Sequence, residues 1–250
     1  MRLKDKVAIV TGAGGGLGLA IAQRYVAEGA KVVIADVKDP RAAASAIAGD
    51  DRVLPIIANV ADEKSVGNMV DATLEKFGRI DILVNNAAIS STLPLQPFEH
   101  IKVADWRRVM DVNVMGTFLC SKAVVGPMRK QRSGRILNFT SGTVYRGSPF
   151  NLHYISSKGA ILSLTRSLAS ELGADNILVN AISPGFTLTQ GMVENPSYSP
   201  EFLKMIVASR IIKRPEVAED IVGTAVFLVS EDANFITGQI MSVDGGATFH

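Results

Sequence analysis

Short runs of aliphatic and β-branched residues alternate along this chain with longer stretches in which apolar positions recur every three to four residues. The strand candidates are VAIVT (7–11), KVVIAD (31–36), RVLPIIANV (the 53–61 region), IDILVNNA (80–87), RILNFTS (135–141), ILVNAISPG (177–185) and GQIMSVDGG (238–246). Helical periodicity marks GLGLAIAQRYVAEG (16–29), ADEKSVGNMVDATLEKFG, a long stretch from about Val103 to Gln131 with Asn113 in its interior, and a helix through Tyr154 to about Gly173. The strand runs are apolar throughout rather than alternating, as in a parallel sheet buried on both faces. Strands that alternate with helices imply βαβ units. The expected fold is therefore α/β: a doubly wound parallel sheet of about seven strands with helices on both faces. No linker, repeat or low-complexity tract interrupts residues 1–250, so a single domain is expected. Residues 186–215, rich in Thr, Ser, Asn, Pro and Met, read as one irregular segment after the sixth strand. Segments beyond the C-terminal ends of strands often cover a ligand.

Composition narrows the function classes. With 250 residues, 47% of them hydrophobic, the chain can bury a sizeable core. A net charge of +2 with 20% charged residues argues against disorder and gives no reason to expect nucleic acid. The densest basic run, Arg129, Lys130 and Arg132, falls where a helix ends and reads as a solvated last turn. The lone cysteine, Cys120, lies in an apolar helical pattern and reads as a buried, inert thiol. No signal-peptide pattern precedes the first strand and no apolar run reaches the ~18 residues of a membrane span, so a soluble cytoplasmic protein without membrane contact is expected. No metal site is expected.

The first strand ends in TGAGGGLG (11–18), a glycine turn that leads into a helix. Such a turn lets backbone approach a pyrophosphate and aims the helix N-terminus at it. The second strand ends in Asp36, eighteen residues beyond Gly18. A carboxylate there accepts hydrogen bonds from both ribose hydroxyls of an adenosine and repels a 2′-phosphate. NAD is therefore the expected cofactor, with Lys38 the one nearby cation that blurs the preference. Further along, LHYISSKGA carries Tyr154 and Lys158 one helical turn apart on one face. A phenol beside an ammonium is a proton-transfer pair, and the charge is expected to lower the phenol pKa toward working pH.

These motifs, in this order, resemble the classical short-chain dehydrogenases/reductases over essentially the whole chain. TGxxxGxG is matched by Thr11, Gly12, Gly16 and Gly18; NNAG by Asn85, Asn86, Ala87 and Ala88; the helical asparagine by Asn113; and the strand-end serine by Ser141, thirteen residues before Tyr154. YxxxK is matched by Tyr154 and Lys158, and the PG motif by Pro184 and Gly185. The resemblance implies a Rossmann-like fold and a catalytic set of Asn113, Ser141, Tyr154 and Lys158. Tyr154 would be base in alcohol oxidation and acid in carbonyl reduction, Lys158 would hold the nicotinamide ribose, and Ser141 would hydrogen-bond the substrate oxygen. Asn113 would bend its helix and hold a water linking Lys158 to solvent. It also implies cofactor contacts from Gly12, Gly14, Gly16, Leu17, Gly18, Asp36, Asn59, Val60, Asn86, Ala87, Tyr154, Lys158, Pro184, Gly185, Thr187 and Thr189.

Three positions depart from the family pattern. Ala88 replaces the usual glycine, Asn59 stands where an aspartate usually contacts the adenine amino group, and Thr187 replaces the usual Ile or Val; each is expected to preserve cofactor binding. The implied substrate contacts are Ser141, Thr143, Leu152, Tyr154 and Phe186, with Met192 and Met205 adding apolar wall. The expected function is an NAD-dependent oxidoreductase acting on an uncharged or weakly polar secondary alcohol or its ketone. The alternative is a reductase of 3-oxoacyl thioesters on an acyl carrier protein, for which Arg146 would supply a cation. A non-catalytic dinucleotide sensor would not need the proton-transfer set. The resemblance further implies a homotetramer.

Overall fold

The apolar runs fold as strands because each offers β-branched residues that pack on both faces of a sheet. In the computed structural model, which describes residues 1–47 and 51–249, these are β1 (Val7–Thr11), β2 (Lys31–Asp36), β3 (Val53–Ile57), β4 (Ile82–Asn85), β5 (Gly134–Phe139), β6 (Ile177–Pro184) and β7 (Ile240–Val243). All pair in parallel, in the order β3-β2-β1-β4-β5-β6-β7. The helices are α1 (Gly16–Ala27), α2 (Arg41–Ser45), α3 (Glu63–Phe77), α4 (Val103–Met110), α5 (Gly116–Gln131), α6 (Thr143–Arg146), α7 (Leu152–Leu172), α8 (Gln190–Val193), α9 (Pro200–Ala208) and α10 (Ala218–Val229).

Because side chains alternate along a strand, the sheet feeds two cores. Ala8, Val10, Val32, Ile34 and Val84 pack with residues of α1 and α10. Ile9, Val33, Leu83, Ile136 and Val179 pack on the opposite face with residues of α3, α5 and α7. Tyr25 of α1 is fully buried, and its hydroxyl donates to the Ala225 carbonyl of α10 at 2.8 Å. That bond joins two helices far apart in sequence. Tyr25→Phe is expected to cost about 1 kcal/mol, read as a melting-point drop of about 2–4 °C for a chain of this size. An unchanged melting point would show that the bond contributes nothing.

Several expectations change. The segment 186–215 is not irregular: α8 and α9 lie in it, and the Ser199 hydroxyl caps α9 by accepting from the Phe202 amide at 3.2 Å. Helix α10, AEDIVGTAVFLV, is additional to the helices that periodicity marks, and it buries Ile221, Val222, Ala225, Val226, Leu228 and Val229. The third strand stops at Ile57, because Asn59 and Asp62 turn the chain into α3. Residues 103–131 form one helix, α4 running through a π turn at Asp111–Met115 into α5. By length and composition alone that helix could cross a membrane, although no continuous 18-residue apolar run exists in it. Its Val109, Leu119, Cys120, Val124 and Met128 are buried in the fold. Burial pushes the Cys120 thiol up to about 12, so it is inert as expected. The basic run at the end of α5 is not merely solvated, as Arg129 pairs with Asp175 at 2.7 Å.

Candidate active site

Strand β1 sits at the point where the chain's windings diverge, β2 on one side and β4 on the other. Loops leaving adjacent C-terminal strand ends in opposite directions leave a crevice there. A cavity of about 890 Å³ occupies it, running from the glycine turn and Asp36 past Ser141, Tyr154 and Lys158 to the segment after Gly185.

The glycine turn is shaped for close backbone approach. Gly12 and Gly16 hold φ of +64° and +55°, a region costly for other residues. A Cβ on Gly18 would stand 2.3 Å from the Gly12 carbonyl and 2.5 Å from Asn86 Nδ2, so α1 packs there without room for a methyl. Asn86 fastens the turn by donating through Nδ2 to the Thr11 and Gly12 carbonyls, each at 2.9 Å. The Thr11 hydroxyl accepts from the amides of Asn86 and Ala87. Asp36 is held by the Gly14 amide on Oδ2 and the Lys38 amide on Oδ1, both at 3.0 Å. This cradle of glycines, free helix-start amides and an oriented carboxylate fits an adenine dinucleotide.

Ser141 follows β5, and Tyr154 and Lys158 lie on α7. Ser141 Oγ accepts from the Thr143 hydroxyl at 2.9 Å and lies close enough to the Tyr154 phenol to favour its ionised form. Lys158 is buried; its Nζ donates to the Phe139 carbonyl at 2.8 Å and stands 5.8 Å from the Tyr154 ring centre. The expected lowering of the phenol pKa does not occur. Burial pushes Tyr154 up to about 12, with the Ser141 hydrogen bond pulling the other way. Burial likewise brings Lys158 down to about 8. The reason is geometric: the ammonium is directed at a backbone carbonyl, so desolvation decides both groups.

Asn113 sits in the π turn and is buried. Its amide accepts from the Ile89 N–H at 2.8 Å and donates to the Ile89 carbonyl and to Ser157 Oγ at 3.0 Å. Ser157 in turn donates to the Tyr154 carbonyl at 2.6 Å. Asn113 thus ties the loop after β4 to α7, the helix that carries Tyr154 and Lys158. Below it, Asn85 links Ser121 and Asn138, so Asn85 belongs to the core and not to the cavity.

Gly12, Gly16, Leu17, Gly18, Asp36, Asn86, Ala87, Pro184, Gly185, Thr187 and Thr189 all border the cavity, as do Thr143 and Phe186. Asn113 is buried away from it, and four expected cofactor or substrate contacts do not border it either. Leu152, the first residue of α7, is 45% exposed and is not among the residues that border it. Gly14 packs its backbone on Asp36 beside the turn. Val60 is buried against Gly116. Asn59 is exposed beyond β3, and the side-chain oxygen expected to meet adenine already accepts from the Ala61 amide at 3.0 Å. Arg146 borders the mouth, exposed, with its guanidinium 3.5 Å from Ser209 Oγ.

Sequence reasoning missed Tyr198, Phe202, Ile206 and Arg210, all of which border the cavity. Phe186, Tyr198 and Phe202 form an aromatic cluster with ring centres 4.9 to 5.8 Å apart. Arg210 is 2% exposed and donates to the Phe186 carbonyl at 2.6 Å while standing 3.8 Å from the Glu216 carboxylate. Glu216 accepts from the Thr187 hydroxyl at 2.6 Å. The pair therefore fastens the end of α9 to the strand end that holds Phe186 and Thr187. The helical spacing of Phe202, Met205 and Ile206 was the one available signal for this wall.

A family model described as Enoyl-(Acyl carrier protein) reductase matches residues 12–248. The chain is 41% identical over 250 residues to a 3-oxoacyl-[acyl-carrier-protein] reductase of Synechocystis, covering 98% of this chain and 97% of that protein. It is 40% identical over 255 residues to galactitol 2-dehydrogenase of Agrobacterium fabrum, covering 98% of each. Among solved structures, the 3-ketoacyl-(acyl-carrier-protein) reductase of Brucella melitensis complexed with NADH superposes with a TM-score of 0.90 at 34% identity, over 99% of this chain and 100% of that one.

Proposed function

The chain belongs to the classical short-chain dehydrogenase/reductase family, and on that premise we propose that it is an NAD-dependent oxidoreductase interconverting a secondary alcohol and its ketone. The observation that carries this reading is one continuous cavity bordered by the glycine turn and Asp36 and by Ser141, Tyr154 and Lys158. The bound nicotinamide supplies the hydride acceptor or donor. In carbonyl reduction Tyr154, protonated at neutral pH because burial raises its pKa, gives its phenol proton to the substrate oxygen. In alcohol oxidation the same phenol returns as phenolate and takes the hydroxyl proton. Ser141 Oγ donates to the substrate oxygen and steadies the charge that develops on it. Lys158, with its pKa lowered to about 8, carries its positive charge at neutral pH and stabilises negative charge that builds up at the site. Asn113, through Ser157, keeps α7 in register with the loop after β4. A scan of secondary alcohols and ketones with NAD(H) and NADP(H), followed at the absorbance of the reduced cofactor, tests the proposal. Absence of turnover with every secondary alcohol and ketone would sink it.

The substrate pocket is mostly apolar, bounded by Phe186, Met192, Phe202, Met205 and Ile206. An apolar wall favours hydrocarbon by about 0.8 kcal/mol per buried methylene, and an unpaired substrate charge is costly there. A second reading, reduction of 3-oxoacyl thioesters, is favoured by the Synechocystis relative and by Arg146 at the cavity mouth. The two are separated by comparing kcat/KM for a neutral ketone with an anionic analogue of equal size. The neutral ketone is expected to win. An anion preferred by about tenfold, roughly 1.4 kcal/mol, that disappears in Arg146→Ala would overturn the neutral-substrate reading.

A homotetramer is part of the proposal. Phe98, Val103, Met115, Phe118 and Leu152, on or near the outer faces of α4, α5 and α7, are large, apolar and exposed, as is Met241 of β7. Such surface is normally covered by another subunit. Light scattering at micromolar concentration is expected to give four times the chain mass, and a monomer would contradict it.

A further inference from the structure

Two residues that border the apolar pocket each carry a polar group with no hydrogen-bond partner among the described residues. Tyr198 borders the cavity together with Tyr154, half-buried among Phe186 and Phe202. Its hydroxyl makes no hydrogen bond to any described residue. Asn151, three residues before Tyr154 at the head of α7, also borders the cavity, and its Oδ1 is buried without a partner. Both residues line the same cavity as Tyr154.

Tyr198 is held in position and is not a loose surface residue. Its amide donates to the Asn195 carbonyl at 3.1 Å. The Asn195 side chain donates to the carbonyls of Ser91 and Leu93 at 2.6 and 3.1 Å, and accepts from the Ser197 amide at 2.8 Å. The turn that presents Tyr198 is thereby anchored to the loop after β4. The two neighbouring rings, edge-on at 4.9 Å and tilted at 5.3 Å, fix the phenol from the other side.

We infer that Tyr198 and Asn151 form a polar subsite beside Tyr154 for a second hydroxyl on the substrate, close to the reacting carbon, so that diols and hydroxyketones are used in preference to simple alcohols and ketones of the same skeleton. A phenol O–H is a donor and an amide oxygen an acceptor; a hydroxyl satisfies both at once. A substrate lacking that hydroxyl leaves both groups desolvated and unpaired, which a site penalises more heavily than a missing methylene. The aromatic and methionine walls then hold the rest of the skeleton. This inference rests on the secondary-alcohol reading above and names the substrate class within it.

The test compares cyclohexanol with cyclohexane-1,2-diol, and 1-phenylethanol with 1-phenylethane-1,2-diol, using NAD and the full-length protein. The wild type is expected to favour the diol of at least one pair by about tenfold or more in kcat/KM. Tyr198→Phe is expected to remove most of that preference by lowering the diol value well beyond any loss on the simple alcohol, and Asn151→Ala to do the same. Equal losses on diol and simple alcohol would show that Tyr198 only packs the wall, and would overturn the inference. So would a wild type that favours neither member, or one that oxidises other secondary alcohols but no member of either pair. If no secondary alcohol is oxidised with either cofactor, the oxidoreductase proposal itself fails and takes the subsite with it.

Discussion

Replacing Tyr154 by phenylalanine lowers turnover by roughly 10²–10⁴-fold, the usual worth of a positioned acid or base, and leaves NAD affinity nearly unchanged. The phenol touches Ser141 and sits beside Lys158, whereas the glycine turn and Asp36 that would hold the dinucleotide are built from other elements. The ring contributes packing that phenylalanine retains, so loss of fold does not explain the effect. A variant keeping more than half of wild-type turnover, under conditions where chemistry limits the rate, would remove Tyr154 from the mechanism. The pH dependence follows from the same group. Its pKa is raised, to about 12, so the protonated form dominates at neutral pH and must be lost before the residue can act as base. Alcohol oxidation, measured as kcat/KM, is therefore expected to rise with pH through the alkaline range, while carbonyl reduction holds level and then falls. Oxidation falling as pH rises from neutral would contradict the assignment.

NAD is expected to be preferred over NADP by at least about 10²-fold in kcat/KM, given that hydrogen bonds to charged groups contribute about 1.5–3 kcal/mol each. Asp36 carries this expectation. Its carboxylate is oriented by the amides of Gly14 and Lys38 at the end of β2, bordering the cavity. A 2′-phosphate would lose the hydrogen bonds to the ribose hydroxyl and add a like-charge repulsion. Lys38 contributes its amide to that grip, so its backbone supports the carboxylate that excludes phosphate. Asp36→Ala should narrow the preference to within about tenfold, chiefly by losing affinity for NAD. Equal kcat/KM for the two cofactors in the wild type would show that the carboxylate does not discriminate.

The local chemistry of the site was legible wherever a residue type has one structural use. Glycine at positions 12, 16 and 18 followed from a turn that needs positive φ or leaves no space for a methyl. The parallel sheet followed from strands apolar on both faces, because alternation would have been required had one face met water. Asp36 was placed from a strand end, Tyr154 and Lys158 from helical spacing and Ser141 from the family resemblance, and the fold gathers them at one cavity. What sequence could not decide was set by long-range packing. The ionisation of Tyr154 and Lys158 depends on desolvation and on Phe139, a strand residue nineteen positions from the lysine, which takes the ammonium that spacing alone would have assigned to the phenol. The pocket wall shows the same kind of reason. Leu152 is adjacent to the motif but exposed at the start of α7 and not on the cavity, while Tyr198, remote in sequence, borders it because Asn195 grips a loop about a hundred residues earlier. Periodicity and motif spacing report contacts within one element; which remote side chain completes a pocket wall is fixed only when the elements pack together.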